Sequence, residues 1–354
     1  MFPINLARSI HNFLQLGVLA CAIVVVATCG RNCAIAQTAT PALQNVHMVS
    51  GIVRMQGNGE AIAGAQGRIV RKEDTYVVLG SNQATRTGPK TAYSFITDKN
   101  GRWSANNLPD GSYVIQVTPG LTDSDLNHRQ GFATKKQMIT LAGTSLEDVL
   151  IEVSKGAKIS GILILEGDEP LSSLALDASK VDAPFELYQA VSKSLTPTGR
   201  ATTFTLTDVP EGVIELSAFL RTDSHYIKSI SANRIDLLQE KLKLTSGMEI
   251  KDVRIVVASD LAEFTGRIIS ESGKTPPPRI RISLVWIGKR RVLGGRLTRR
   301  TDEQGAFLLR PPPGDYRIDV NEDRVEGGIL PFVKSIPLVT FLPGEHKNME
   351  IRVP

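Results

Sequence analysis

The chain repeats itself, and a repeat of domain length obliges it to fold as successive copies of one unit. Each copy opens on an apolar stretch that holds a glycine: Val49-Ser50-Gly51-Ile52-Val53, Ile159-Ser160-Gly161-Ile162-Leu163 and Phe264-Thr265-Gly266-Arg267-Ile268. The three glycines lie 110 and then 105 residues apart. A turn and a strand follow in mid-unit, as Thr97-Asp98-Lys99-Asn100-Gly101-Arg102-Trp103 in the first copy and Thr301-Asp302-Glu303-Gln304-Gly305-Ala306-Phe307 in the third. Asp followed three residues later by Gly is a turn signal: the carboxylate caps backbone amides and Gly accepts positive φ.

A second turn leads into a strand of strict alternation. The first copy reads Leu108-Pro109-Asp110-Gly111-Ser112-Tyr113-Val114-Ile115-Gln116-Val117 and the third Pro312-Pro313-Gly314-Asp315-Tyr316-Arg317-Ile318-Asp319-Val320. The second copy has Val209-Pro210-Glu211-Gly212-Val213-Ile214 instead. Period two marks a half-buried strand. A Tyr just past such a turn is placed to bury its ring and return its hydroxyl to nearby backbone. Each copy closes on one more strand, 148–153, 252–257 and 348–353, with Gly143, Gly247 and Gly344 shortly before it. The closing strand of one unit runs almost directly into the next unit, which predicts short linkers and modules stacked as a semi-rigid rod.

Short alternating strands punctuated by turns predict sandwiches or barrels rather than parallel α/β units. Residues 232–244 alone hint at a turn or two of helix, with Ile235, Leu238 and Leu242 at helical spacing. Insertions near 72–93 and 218–243 interrupt the first two units and read as long loops, which are candidate contact sites.

The order Ser-Gly-Ile-Val, Thr-Asp-x-x-Gly-x-Trp, Leu-Pro-x-Gly-x-Tyr-x-Ile-x-Val resembles the carboxypeptidase regulatory-like domain, a transthyretin-like (prealbumin-like) β-sandwich. The likeness covers most of residues 46–354, and the second copy is a degenerate one. It implies a fold and no activity, because the matching residues are turn and core residues. In the peptidases of that family the metal and the catalytic residues lie in another domain. The expected architecture is therefore all-β: three tandem Ig-like or prealbumin-like β-sandwich modules at 46–153, 154–257 and 258–354, after a signal peptide at 1–36 and a flexible tail at 37–45.

The signal reading rests on the first 36 residues. Arg8 precedes an apolar run at 13–28, and Ala34-Ile35-Ala36 stands before Gln37, a basic start, apolar core and small-x-small cleavage site. The run is 16 residues long, shorter than the roughly 20 that span a bilayer. Two alternatives stay open: an uncleaved anchor, and lipoprotein processing at Cys21 in Val18-Leu19-Ala20-Cys21. All three cysteines, Cys21, Cys29 and Cys33, fall inside this segment. The mature chain then has no disulfide, no thiol nucleophile and no thiolate ligand, and each module must fold on its apolar core alone. No later segment is long and apolar enough for a transmembrane helix. These features predict an exported protein, periplasmic, at the cell surface or extracellular.

Chemistry-bearing motifs are sparse. His47, His128, His225 and His346 are scattered, with no pair at metal-ligand spacing. No Gly-x-Ser-x-Gly elbow or Gly-rich phosphate loop is present. Asp123-Ser124-Asp125-Leu126-Asn127 starts like a calcium loop, but His128 and Thr134 stand where Gly and Glu belong. The two tryptophans read as core: Trp103 takes the place of Phe307, and Trp286 alternates with Ile280, Ile282 and Leu284. Tyr76, Tyr93 and Tyr188 remain as candidate surface rings for a sugar. No enzyme, cofactor or metal is expected.

The distinctive local feature is basic. Arg290 and Arg291 follow Lys289, and Arg296, Arg299 and Arg300 come shortly after. Arg279 and Arg281 point away from the Ile280 and Ile282 face. Residues 258–354 hold 16 Lys and Arg against 12 Asp and Glu, a net +4, whereas the net +5 of the whole chain falls to +3 once Arg8 and Arg31 are removed. Guanidinium forks suit phosphate, sulfate and carboxylate. Nucleic acid is not expected, since no aromatic residues interleave the arginines. The expected function is a structural spacer or protein-interaction module. The alternative is a carbohydrate- or anionic-glycan-binding module using the hairpin at Arg290, Arg291, Arg296, Arg299 and Arg300. The partner would be an envelope polysaccharide or another surface protein, with the oligomeric state open.

Overall fold

The computed structural model describes residues 45–75, 92–122, 125–129, 131–184, 187, 189–271, 280–288, 296–322 and 332–353. Residues 1–44, which hold the expected signal peptide and most of the expected tail, lie outside them. The described residues are nearly all strand and turn, arranged as β-sandwiches.

One topology occurs three times. In each copy the opening strand is central, antiparallel to the mid-unit strand on one side and parallel to the closing strand on the other. The first copy sets Val46–Met55 between Arg102–Pro109 and Leu146–Val153. The second sets Ala157–Glu166 between Ala201–Val209 and Glu249–Ala258. The third sets Glu263–Ser270 between Ala306–Leu309 and His346–Val353. A four-stranded sheet faces each of these. In the third copy its order is Arg296–Arg300, Ile280–Trp286, Gly314–Glu322, Phe332–Phe341. Each sheet pair closes on its own apolar cluster. Val49, Trp103, Tyr113 and Ile151 belong to the first, Ile159, Phe204, Leu216 and Ile255 to the second, and Phe264, Ile282, Phe307 and Ile318 to the third. A buried Val, Leu, Ile or Phe contributes about 1.5–3 kcal/mol, so three such clusters hold the fold without a cross-link.

The repeated glycine has a steric cause. Gly51, Gly161 and Gly266 pair with Trp103, Phe204 and Phe307 on one side and with Val149, Val253 and Met349 on the other. A Cβ would stand 2.1 Å from the Val149 carbonyl oxygen, 1.9 Å from that of Val253 and 2.0 Å from that of Met349. Only Gly lets the parallel closing strand come this close. Phe204 also keeps the mid-unit aromatic in the second copy, although the turn motif before it is lost.

The second copy is nearer the first in backbone than its motifs imply. Both carry two register shifts beside residues of positive φ: Asn107 (63°) and Asp148 (56°), then Asp208 (60°) and Asp252 (58°). Asn and Asp tolerate this conformation better than other side chains. The third copy pairs both neighbours of its opening strand without a shift.

The turn and corner readings hold. Asp98 Oδ1 accepts from the amides of Asn100 and Arg102, both at 2.8 Å, and Asp302 Oδ1 from Gln304 and Ala306 at 3.0 and 2.7 Å. Tyr113 donates its hydroxyl to the Pro109 carbonyl at 2.6 Å and Tyr316 to that of Pro312 at 2.9 Å. Buried Ile214 occupies the same place in the second copy.

The helix hint at 232–244 is wrong, and so is the loop reading of 218–243. Tyr226–Ala232 adds an antiparallel strand beside Glu249–Ala258, and Ile235–Asp236 pairs back onto it. Asn233 and Arg234, at φ 48° and 70°, form the two-residue hairpin turn between them. Of the residues at helical spacing, Leu242 is buried in the second cluster and Leu238 packs partly buried against it, while Ile235 is exposed on the short strand.

Both linkers are pinned from two sides. The Lys155 carbonyl accepts from Gly247 of the second copy at 2.9 Å, while Ser154 and Gly156 bond Ala133 and Gly131 of the first. The Asp260 carbonyl accepts from Gly344 of the third copy at 3.0 Å, and its carboxylate accepts the Tyr226 hydroxyl of the second at 2.9 Å. The glycine before the closing strand thus ties down the preceding linker in both the second and third copies. All three copies belong to one compact unit.

Candidate functional site

The pinned junction between the second and third sheet pairs leaves a cleft of about 650 Å³, within the roughly 300–1,000 Å³ common for small-ligand sites. The second copy contributes the segment 218–227 except Arg221 and Ser224: the end of Gly212–Leu220, the turn after it, and the start of Tyr226–Ala232. The third contributes Trp286, Leu297, Leu308, Leu309, Pro312 and Tyr316, and Leu261 comes from the linker.

The floor is apolar and aromatic. Trp286 meets Tyr316 edge-on at 5.1 Å between ring centroids. Two glycines clamp the indole: a Cβ on Gly314 would stand 2.2 Å from it and one on Gly288 2.5 Å. Trp286 therefore packs on the third core, as expected, and also faces the cleft. At the mouth, Phe219 and Leu308 keep 43% and 47% of their surface exposed, apolar area that neither sheet pair covers.

The rim carries charge. Arg296, Arg299, Arg310 and Asp223 line the cleft, and all four are exposed. Arg299 Nη2 reaches Asp223 Oδ2 at 2.6 Å across the opening. Arg310 lies 3.9 Å from Glu263. The turn that presents Asp223 is held by its neighbours. His225 is buried, its Nε2 donates to the Glu169 carbonyl at 3.1 Å, and its Nδ1 lies 2.8 Å from Ser224 Oγ, which lies 2.7 Å from Thr222 Oγ1. The group that orients this imidazole is a peptide carbonyl, so the chain of bonds braces a turn and does not build a charge-relay triad.

Tyrosine hydroxyls at the site are committed. Tyr226 donates to Asp260, and Tyr316 to Pro312. Burial pushes both hydroxyls far above the ordinary tyrosine value, and the Asp260 carboxylate adds to the effect at Tyr226.

Of the five predicted arginines, Arg296, Arg299 and Arg300 share the strand Arg296–Arg300, and the first two line the cleft. Arg300 lies opposite Arg281 on the neighbouring strand. Arg290 and Arg291, with Arg279, lie outside the described residues, as do Tyr76, Tyr188, Asp123 and Ser124. Tyr93 is half-buried against the first core and donates to the Asn107 carbonyl at 3.1 Å, so it is no free surface ring. Trp103 is buried and stacks on Phe95 at 4.3 Å. Among the described residues no three His, Cys, Asp or Glu side chains are placed to hold a metal ion, and no helix is long and apolar enough to cross a membrane.

The second-copy wall lies inside 218–243, the insertion that the sequence offered as a candidate contact site but as a loop, without naming its residues. Its signal is the string Phe219-Leu220-Arg221-Thr222-Asp223-Ser224-His225-Tyr226-Ile227, a polar turn flanked on both sides by apolar and aromatic pairs.

No protein-family model matches the chain, and no curated protein matches it. Solved structures give low likenesses. The Bacillus anthracis TIE protein is 12% identical with a TM-score of 0.22, covering 87% of this chain and 51% of its own, so the chain spans about half of that protein. A streptococcal ancillary pilin is 10% identical with a TM-score of 0.31, covering 88% of this chain and 99% of its own. A putative carbohydrate binding protein from Pseudomonas aeruginosa is 15% identical with a TM-score of 0.21, covering 31% and 89%. TM-scores this low carry no argument about the site.

Proposed function

We propose that this is an exported, non-catalytic protein of the cell envelope, three carboxypeptidase regulatory-like modules in series that act as a spacer and interaction protein. The modules divide at the two pinned linkers, near residues 154 and 258. One observation supports the reading above the rest: the second and third copies are held against one linker residue, Asp260, by Tyr226 and Gly344, and the fixed junction forms a cleft. A preformed concave surface at a module junction is a contact site.

A second reading is an anionic glycan bound along the outer arginines. It is favoured by Arg296 and Arg300 standing on one exposed strand beside the cleft rim. One experiment separates the two. The chain beginning at Gln37 is passed over immobilised envelope polysaccharide at low and high salt, with Arg296→Ala/Arg299→Ala/Arg300→Ala alongside. Salt-sensitive retention lost in the triple variant selects the glycan reading. Passage without retention at either salt selects the spacer and interaction reading.

A further inference from the structure

We infer that the cleft between the second and third sheet pairs holds a single-chain amphiphile with a carboxylate head, its apolar body on the floor and its head at Arg299. The inference rests on the proposed use of the cleft as a contact site and names what fills it.

The supply of polar partners in the cleft decides what can fill it. A sugar buried here would bring several hydroxyls, and a peptide would bring amides and carbonyls. Each needs a partner or costs about 1–3 kcal/mol. The tyrosine and histidine groups of the floor are already committed, and the Trp286 Nε1, which has no partner, is buried beneath the surface of the cleft rather than presented to it. Tyr226 and Tyr316 spend their hydroxyls on Asp260 and Pro312, and both ring nitrogens of His225 are engaged. An apolar chain asks for none of this and covers the exposed faces of Phe219 and Leu308, gaining about 25 cal/mol per Å² of apolar area removed from water.

The head group follows from the rim. Three guanidinium groups line the rim with the Asp223 carboxylate, and Glu263 lies 3.9 Å from Arg310 behind it, which leaves an excess of one positive charge. Asp223 already sets a carboxylate oxygen 2.6 Å from Arg299 Nη2, so the chain itself supplies the stand-in for an incoming carboxylate. Both partners of that pair are more than half exposed. Such a pair contributes little, about 0–1 kcal/mol, and a ligand that also fills the floor displaces Asp223 at small cost.

The chain holds only two tryptophans, and this supplies the test. Trp103→Phe leaves Trp286 as the sole indole, and its emission is read while the chain beginning at Gln37 is titrated with decanoate, 1-decanol and trigalacturonate below any micelle-forming concentration. The expected result is a saturable blue shift with decanoate, at least about tenfold weaker with 1-decanol, since a hydrogen bond to a charged group contributes about 1.5–3 kcal/mol. Arg296→Ala/Arg299→Ala removes that preference, and Leu308→Asp, at an exposed position, abolishes both shifts. Equal affinity for decanoate and 1-decanol overturns the carboxylate head. A shift with trigalacturonate alone overturns the amphiphile and leaves the cleft as a contact site. No shift with any of the three overturns both.

Discussion

Tyr226 donates its hydroxyl to Asp260 at 2.9 Å, tying an added strand of the second sheet pair to the linker that enters the third. Burial first, and then that bond, raises the Tyr226 pKa. Burial does the same at Tyr316, and at Tyr113 it outweighs the opposing effect of Arg71. A group whose folded pKa is raised contributes stability in full below its unfolded value, about 10 for tyrosine, and loses it as pH climbs through the folded value. Absorbance at 295 nm during alkaline titration is therefore expected to show these three hydroxyls ionising late and together with loss of structure. Ionisation of all three near pH 10 in the folded chain would contradict the assignment.

The corner tyrosines give a mutational counterpart. Tyr113→Phe and Tyr316→Phe each remove one hydroxyl-to-carbonyl bond and leave the ring in place. Each is expected to lower stability by about 0.5–1.5 kcal/mol, read as a shifted denaturant midpoint at unchanged slope.

Substitution of the repeated glycine costs more. Gly161→Ala puts a methyl 1.9 Å from the Val253 carbonyl oxygen, so the closing strand must move. The expected loss is about 1–3 kcal/mol, the range of overpacked sites, and Gly51→Ala and Gly266→Ala follow for the same reason. Gly199→Ala is the control: no atom lies within 4 Å of its added Cβ, and the change is expected within about 0.5 kcal/mol.

Asp319 makes the third sheet pair sensitive to acid. Burial pushes its carboxyl up, but two bonds from Arg317, at 2.9 and 3.0 Å, and one from Ser335 at 3.0 Å outweigh it, so the pKa ends below the usual value. A depressed folded pKa contributes stability above the unfolded value, about 4, and loses it as pH falls through the folded one. Thermal melts between pH 6 and pH 2.5 are expected to show a steeper acid decline in the parent than in Asp319→Asn, whose Tm is already lower at neutral pH. Parallel curves would show that the carboxylate adds nothing.

Much of the fold was legible because it rests on local chemistry. Asp98 and Gly101 announce a turn by type and spacing, and Tyr113 announces its corner by standing four residues after Pro109. Gly51, Gly161 and Gly266 were visible as a repeat, but their cause was not, because the carbonyl that excludes a Cβ comes from a strand about 90 residues away. The segment 232–244 failed because apolar residues on two short strands and a turn, exposed Ile235, half-buried Leu238 and buried Leu242, fall by chance at helical spacing. Arg296 and Arg299 were picked out by charge, whereas the floor they border was not. Phe219 and Trp286 are brought together only by the junction, and nothing local to either residue encodes that meeting.

The most direct test of the central claim plugs the cleft. The chain beginning at Gln37 has no cysteine, so Leu308→Cys places a single thiol at the mouth and Leu150→Cys places one on the first sheet pair, both at positions 47% exposed. Each is coupled to a bulky maleimide, and decanoate affinity is measured before and after by calorimetry. The account predicts that coupling at 308 abolishes binding while coupling at 150 leaves it unchanged. Decanoate bound with equal affinity by both coupled proteins would contradict it.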